Sequence, residues 1–172
     1  MPIKNFVGGD ASDVNAAELN RYLVQSSHVI KPADESVTSS VTLQNDDHLF
    51  LQVEANTNYW LMCLLLYAGN TAGDLQPTFS GPSGATFTWL SDALGSGITT
   101  TSDIVSRSMQ NISGNPAFGA VTGSDAVAIP KGLLQVGSSG GTFRFRWAQS
   151  VSSGTATILR EGSMMMIRRL TD

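Results

Sequence analysis

A run of nine apolar residues constrains the fold of this chain more than any other feature. It covers residues 59–67 (YWLMCLLLY) and follows a turn-forming segment, Asn56-Thr57-Asn58. The run has about half the length that a helix needs to cross a bilayer, so we interpret it as a β-strand. A strand that is apolar on both faces is covered twice, either at the centre of a sandwich or at a subunit interface. We favour the interface, because little else in the chain is helical enough to cover a second face.

Segments with apolar residues at every second position lie on both sides of this run. Residues 143–147 place aromatic side chains on one face and arginines on the other, and Leu49, Leu51 and Val53 alternate with Phe50 and Gln52. Only 14% of the residues are charged, and the 17 glycines suit short strands joined by tight turns. We therefore predict an all-β fold of about eight to ten strands. Its expected form is an antiparallel jelly-roll-like sandwich with a short N-terminal helix.

The N-terminal segment differs from the rest of the chain. Asn15-Ala16-Ala17-Glu18 has the form of a capping box and predicts a helix over residues 16–25. The polar, proline-marked segment 31–36 then indicates a linker. We predict an anchor arm over residues 1–34 and a β-sandwich domain over residues 35–172. A helix this short needs a partner to pack on, and the residues expected to anchor it are Leu19, Tyr22 and Leu23.

Three consecutive methionines, Met164 to Met166, form a second segment without a wet face. Flexible thioethers on both faces of a strand are typical of a packed interface. Together with the run at 59–67, they predict an obligate homotrimer. The residues expected at the interface are Tyr59, Leu61, Cys63, Leu64, Leu65, Tyr67, Met164 and Met166.

The sequence offers little catalytic chemistry. Cys63 is the only cysteine and lies in an apolar run, which favours a buried thiol over a reactive one. His28 and His48 are the only histidines, and both have polar neighbours. Residues 45–48 (NDDH) are the best metal candidate, but adjacent turn residues rarely converge on one ion. We predict no catalytic residues, no cofactor and no metal site.

The charge balance argues against nucleic acid as a partner. The net charge is −4 and the pI is about 5.0, so no global field attracts polyanions. Half of the basic residues lie in the last thirty or so, Arg144 and Arg146 among them, and ion pairs within or between subunits are their expected role. Residues 1–6 show no apolar signal segment, and no run is long enough to span a bilayer. We expect synthesis in a cytoplasm and no membrane partner.

Four blocks of the sequence resemble small bacteriophage virion proteins. They are Phe6-Val7-Gly8-Gly9 with the helix segment 14–23, then residues 81–85, 141–149 and 160–170. The resemblance implies a trimeric β-sandwich or jelly-roll domain of the minor tail, head fibre or capsid decoration type. It implies a location on the virion, after synthesis in the host bacterium, and contacts with other virion proteins through the arm. No catalytic residue is carried over.

Several functions stay open at this point. The leading hypothesis is a non-enzymatic structural protein on the tail or on the capsid, with a slight preference for the tail. The alternative is a module that binds a host glycan or receptor, either through Trp60, Trp89 or Trp147, or through the loops at 91–102 and 111–116. A hydrolase is disfavoured because no motif holds a pair of carboxylates.

Overall fold

A computed structural model describes residues 26–102 and 105–170 of this chain. These residues form fourteen strands and no helix, and all of the strand pairings are antiparallel. The described part therefore holds no helix suited to crossing a membrane. The strands are β1 (Ser26–Ile30), β2 (Glu35–Val37), β3 (Gln44–Val53), β4 (Asn58–Ala68), β5 (Leu75–Ser80), β6 (Thr86–Leu90), β7 (Ala93–Leu94), β8 (Val105–Ser106), β9 (Met109–Gln110), β10 (Asp125–Ala128), β11 (Lys131–Gln135), β12 (Gly141–Gln149), β13 (Thr157–Leu159) and β14 (Met164–Leu170).

The strands form one large sheet, one small sheet and one short pair. The large sheet has the order β1-β14-β4-β11-β6-β9, and β10 and β13 also pair with β4. The small sheet has the order β3-β12-β5, and β7 pairs with β8. The all-β, antiparallel part of the prediction is confirmed. The jelly-roll connectivity stays a prediction, and the predicted helix at 16–25 lies outside the described residues.

The core lies between the inward sides of the two sheets, where aromatic rings from both interlock. Phe79 of the small sheet meets Phe87 and Trp89 of the large sheet, with ring centroids 5.0 Å and 5.2 Å apart. Phe143 stands between them and contacts both Phe79 and Phe87. Each of these rings is almost fully buried. Burial of one large apolar side chain stabilises the fold by about 1.5–3 kcal/mol, so this cluster is a main source of stability.

The end of the predicted arm belongs to the β domain. Residues 26–30 form β1, which pairs along its whole length with β14. Lys31, which the sequence analysis places in the linker, has no exposed surface. Its ammonium contacts Asp46 of the small sheet at 2.9 Å. Lys31 is thus a buried contact between the two sheets and not an exposed linker residue, because Asp46 compensates its charge. The local sequence does not reveal this partner.

The segment at 91–102 also differs from its prediction as an exposed loop. It contains β7, and Ser91, Ala93 and Leu94 are buried. The hydroxyl of Ser91 donates a hydrogen bond to the carbonyl oxygen of Ser106, which links the segment to the next one. Local polarity predicts a loop here, whereas pairing with β8 draws part of it inward.

Candidate functional site

The two faces of β4 have different surroundings. The side chains at odd positions, from Tyr59 to Tyr67, are at most 6% exposed and face the small sheet. The side chains at even positions point away from it, and Trp60 is 43% exposed. Successive side chains of a strand point to opposite faces, so one strand contributes to the core and to the surface.

Strand pairing brings further apolar side chains to the same surface. Residues directly opposite each other in an antiparallel pair share a face. Met164 lies opposite Leu64, and Met166 lies opposite Met62. Strands β1, β10 and β11 add one apolar residue each by the same rule. We call this surface the outer face, and its apolar residues are Ile30, Trp60, Met62, Leu64, Leu66, Val127, Leu133, Met164 and Met166. Three basic or imidazole side chains share it by the same rule, which are His28, Lys131 and Arg168.

The outer face is accessible and mainly apolar. Ile30 is 53% exposed, Val127 47% and Leu133 38%, and the methionines are half-buried. Strands β10 and β11 pair with the same side of β4, so the face is four strands wide. At a strand spacing of about 4.8 Å, and with six residue steps along β4, the patch is roughly 14 Å by 20 Å. An apolar patch of this size, on the order of 300 Å², is comparable to the largest patch on a typical monomer, and such patches are often functional.

The structure separates the residues predicted at the interface into two groups. Leu64, Met164 and Met166 lie on the outer face. The remaining five have no access from outside, because the small sheet covers them; they are Tyr59, Leu61, Cys63, Leu65 and Tyr67. Burial accordingly raises the pKa of the Cys63 thiol. Sequence reasoning missed Trp60, Met62 and Leu66 as outer-face residues, although alternation along β4 could have grouped them with Leu64.

Charged groups lie at both ends of the outer face, and Lys131 lies within it, opposite Met62. At the Ala68 end of β4, the guanidinium of Arg160 contacts Asp34 at 2.8 Å and Asp125 at 2.9 Å. The pKa of Asp34 is lowered mainly by a hydrogen bond from the backbone N–H of Glu161, and to a smaller extent by the hydrogen bond from Arg160. At the opposite end, Arg168 lies opposite Trp60. The apolar residues therefore have charged neighbours at both ends of the face and at Lys131, whose ammonium lies 2.6 Å from Asp92.

Residues 45–48, the metal candidate, form an irregularity in β3. Arg144 pairs with Phe50 and Arg146 pairs with Asn45, so four residues of β3 oppose one of β12. The irregularity turns the Asp46 side chain inward, where it is fully buried. A β-bulge of this kind re-aims side chains that alternation would have placed outside.

Asp46 and His48 of this bulge lie near Glu35 of β2, and the side-chain atoms of the three that could bind a metal ion are within 4.8 Å of one another. The ammonium of Lys31 lies 2.9 Å from Asp46 Oδ2 and 2.5 Å from Glu35 Oε2. Asp46 Oδ2 also accepts a hydrogen bond from Trp147 Nε1, and its Oδ1 accepts two backbone N–H groups. The positive charge at this cluster is that of Lys31, and a metal ion would have to displace it.

The tryptophans differ in their access to a ligand. Trp89 and Trp147 are at most 1% exposed, and each donates its indole N–H inside the protein. Trp60 alone of the three is exposed. A sugar could therefore stack on Trp60, but not on Trp89 or Trp147 without unfolding.

The predicted anchor residues Leu19, Tyr22 and Leu23 lie outside the described residues. The predicted loop at 111–116 contacts the small sheet, since the carbonyl oxygen of Ile112 accepts a hydrogen bond from the backbone N–H of Phe79.

Comparison with known proteins gives no family for this chain. Neither a protein-family model nor a curated protein sequence matches it. A structure of the tripod from the baseplate of bacteriophage Tuc2009 is similar over 99% of this chain and 76% of its own, at 10% identity and a TM-score of 0.38. The structure of infectious bursal disease virus Gx strain is similar over 84% of this chain but only 39% of its own, at 8% identity and a TM-score of 0.26. Similarities at these TM-scores carry no argument about the function of this chain.

Proposed function

We propose that this chain is a non-enzymatic structural protein of a bacteriophage virion, and that it forms a homotrimer through the outer face. The observation that carries the proposal is the apolar surface centred on β4 and β14. Such a surface is unfavourable in water and is stabilised when a second protein covers it. Identical subunits usually close into a symmetric ring, and three outer faces around a three-fold axis would each contact both neighbours.

The virion location is supported by the four blocks that resemble bacteriophage virion proteins. We propose that residues 1–25 attach the trimer to other virion proteins, on the tail or on the capsid. The segment leads into β1, which lies at the edge of the large sheet.

Substitution of Leu64 by aspartate tests the assembly. Leu64 lies near the centre of the outer face, so its replacement leaves the core intact. A carboxylate without a partner in a dry interface costs several kcal/mol, and each 1.4 kcal/mol weakens association tenfold. We expect sedimentation at micromolar concentration to show a trimer for the natural chain and a folded monomer for Leu64→Asp.

Gln52→Asp provides the matched control, because Gln52 is exposed on the outward side of the small sheet. This variant should remain trimeric. A natural chain that sediments as a monomer at the same concentration would refute the proposal, as would a trimer that survives Leu64→Asp. Labelled antibody on intact particles, with and without residues 1–25, tests the location and the anchoring separately.

A further inference from the structure

The outward side of the small sheet presents two arginines side by side. Arg144 and Arg146 are two residues apart on β12, so their side chains leave the same face of the sheet. Their Cα atoms are therefore about 7 Å apart. This local positive charge is notable in a chain whose net charge is −4.

Neither arginine is neutralised by a carboxylate within the described part of the chain. Five other described basic side chains form ion pairs, whereas Arg144 and Arg146 form none. The Nε of Arg146 is buried and has no hydrogen-bond partner among these residues. The ion pairs expected from the sequence are present for Arg160 and Arg169, but Arg144 and Arg146 form none with described residues. The Nη groups of both guanidiniums therefore keep donors for an external anion, whereas the buried Nε of Arg146 does not face one.

Both guanidiniums are nevertheless held in place. Arg144 Nη1 donates to the carbonyl oxygen of Asp46, and its Cζ lies 4.6 Å from the centre of the Phe50 ring. Arg146 Nη2 donates to the carbonyl oxygen of Leu43 at 3.0 Å. A donor that is already oriented loses less conformational entropy when it binds, so this pair is prepared for a ligand.

The neighbouring side chains are amides and hydroxyls. Gln52 and Thr142 lie opposite each other on β3 and β12, and the Gln52 amide donates a hydrogen bond to the Thr142 hydroxyl at 2.9 Å. Gln76 and Ser80 extend the same polar face on β5. Such groups donate and accept hydrogen bonds, which suits the hydroxyls of a sugar chain.

We infer that this face binds an anionic polysaccharide, whose acidic groups contact Arg144 and Arg146 and whose hydroxyls contact the surrounding amides. The acidic group is a carboxylate or a phosphate diester, because a guanidinium pairs with both in a bidentate manner. A protein partner fits less well, since interfaces have an apolar core and this face offers only Phe50. Nucleic acid fits less well too, because its binding depends on many phosphate contacts and two cations supply few.

Native electrophoresis of the full chain through gels that contain a polymer tests the inference. The probes are alginate, which carries carboxylates, poly(glycerol phosphate), which carries phosphate diesters, and neutral dextran. We expect retardation by one or both anionic polymers and none by dextran. The comparison of alginate with poly(glycerol phosphate) identifies the acidic group. Retardation by neither anionic polymer, or an equal retardation by single-stranded DNA, would overturn the inference.

Substitutions locate the site. Arg144→Gln and Arg146→Gln should each weaken binding about tenfold or more, the usual effect of losing a charge-assisted hydrogen bond. Arg107→Gln removes the same charge from a side chain that is 71% exposed elsewhere, and it should bind like the natural chain. Equal weakening by Arg107→Gln would show a non-specific charge effect and refute the site.

Each arginine also bonds a backbone carbonyl, so its loss could disturb the fold. Gln52→Glu avoids this difficulty, because it adds a negative charge to an exposed position beside the site. It should weaken binding at least threefold while the thermal unfolding midpoint stays unchanged. Unchanged binding by Gln52→Glu together with unchanged binding by folded Arg144→Gln would exclude this face. Neither result depends on the outer face, so the proposed trimer is tested separately.

Discussion

Replacement of Lys31 by methionine tests whether a buried ion pair joins β1 to the small sheet. Lys31 and Asp46 have no exposed side-chain surface, and their charged atoms are 2.9 Å apart. Methionine keeps an unbranched apolar stem of similar length and removes the charge. The variant therefore leaves the packing nearly unchanged and deprives both Asp46 and the less buried Glu35 of their cation.

The structure sets the size of the expected loss. Removal of one member of a buried ion pair costs about 3–5 kcal/mol, because the other charge stays buried. Asp46 keeps three donors in the variant, which are the N–H groups of His48 and Leu49 and the indole of Trp147. We therefore expect the lower end of the range, about 3 kcal/mol of unfolding free energy.

Urea unfolding followed by tryptophan fluorescence measures this loss. The protein concentration is kept constant, because assembly raises the apparent stability. With a slope of about 2 kcal/mol per molar urea, Lys31→Met should lower the midpoint by about 1.5 M. Lys131→Met is the control, since Lys131 is 32% exposed and its contact with Asp92 is worth at most about 1 kcal/mol. A Lys31→Met midpoint within about 0.5 M of the natural chain would refute the reasoning.

Three further predictions concern single residues. The hydrogen bond from Lys131 holds the pKa of Asp92 below its ordinary value, so this carboxylate stabilises the fold above about pH 4 and loses that effect as the pH falls through its folded-state pKa. Asp92→Asn should flatten the decline of urea midpoints in acid, and an unchanged decline would contradict this. A Cβ on Gly132 would lie 2.1 Å from the carbonyl oxygen of Thr88, so Gly132→Ala should lower the thermal midpoint by about 10 °C, and a shift under about 2 °C would count against the close approach. Cys63 is buried and its thiol pKa is raised, so it should react with a thiol reagent only after denaturant is added, and rapid reaction of the folded chain would show access to the core.

Local patterns predicted much of the strand content. The alternation at 49–53 and 143–147 is confirmed by β3 and β12, and the apolar run at 59–67 is confirmed as part of β4. Alternation is a property of neighbouring residues, so it is visible without the fold. The sequence of β1 lacks this signal, because an edge strand with mostly exposed side chains has no apolar period to display.

The sequence by itself determined that both faces of β4 are apolar, because apolar residues occupy every position of the run. It could not determine which face meets the core, since the two sets of side chains are equally apolar. The tertiary structure decided this by placing the small sheet over the Leu65 side and leaving the Leu64 side accessible. It also decided which charged side chains are buried and which are unpaired. Lys31 is buried because Asp46 compensates its charge, and no described carboxylate forms an ion pair with Arg144 or Arg146. Burial of a charge depends on partners that are distant in sequence, and only the folded chain brings them together.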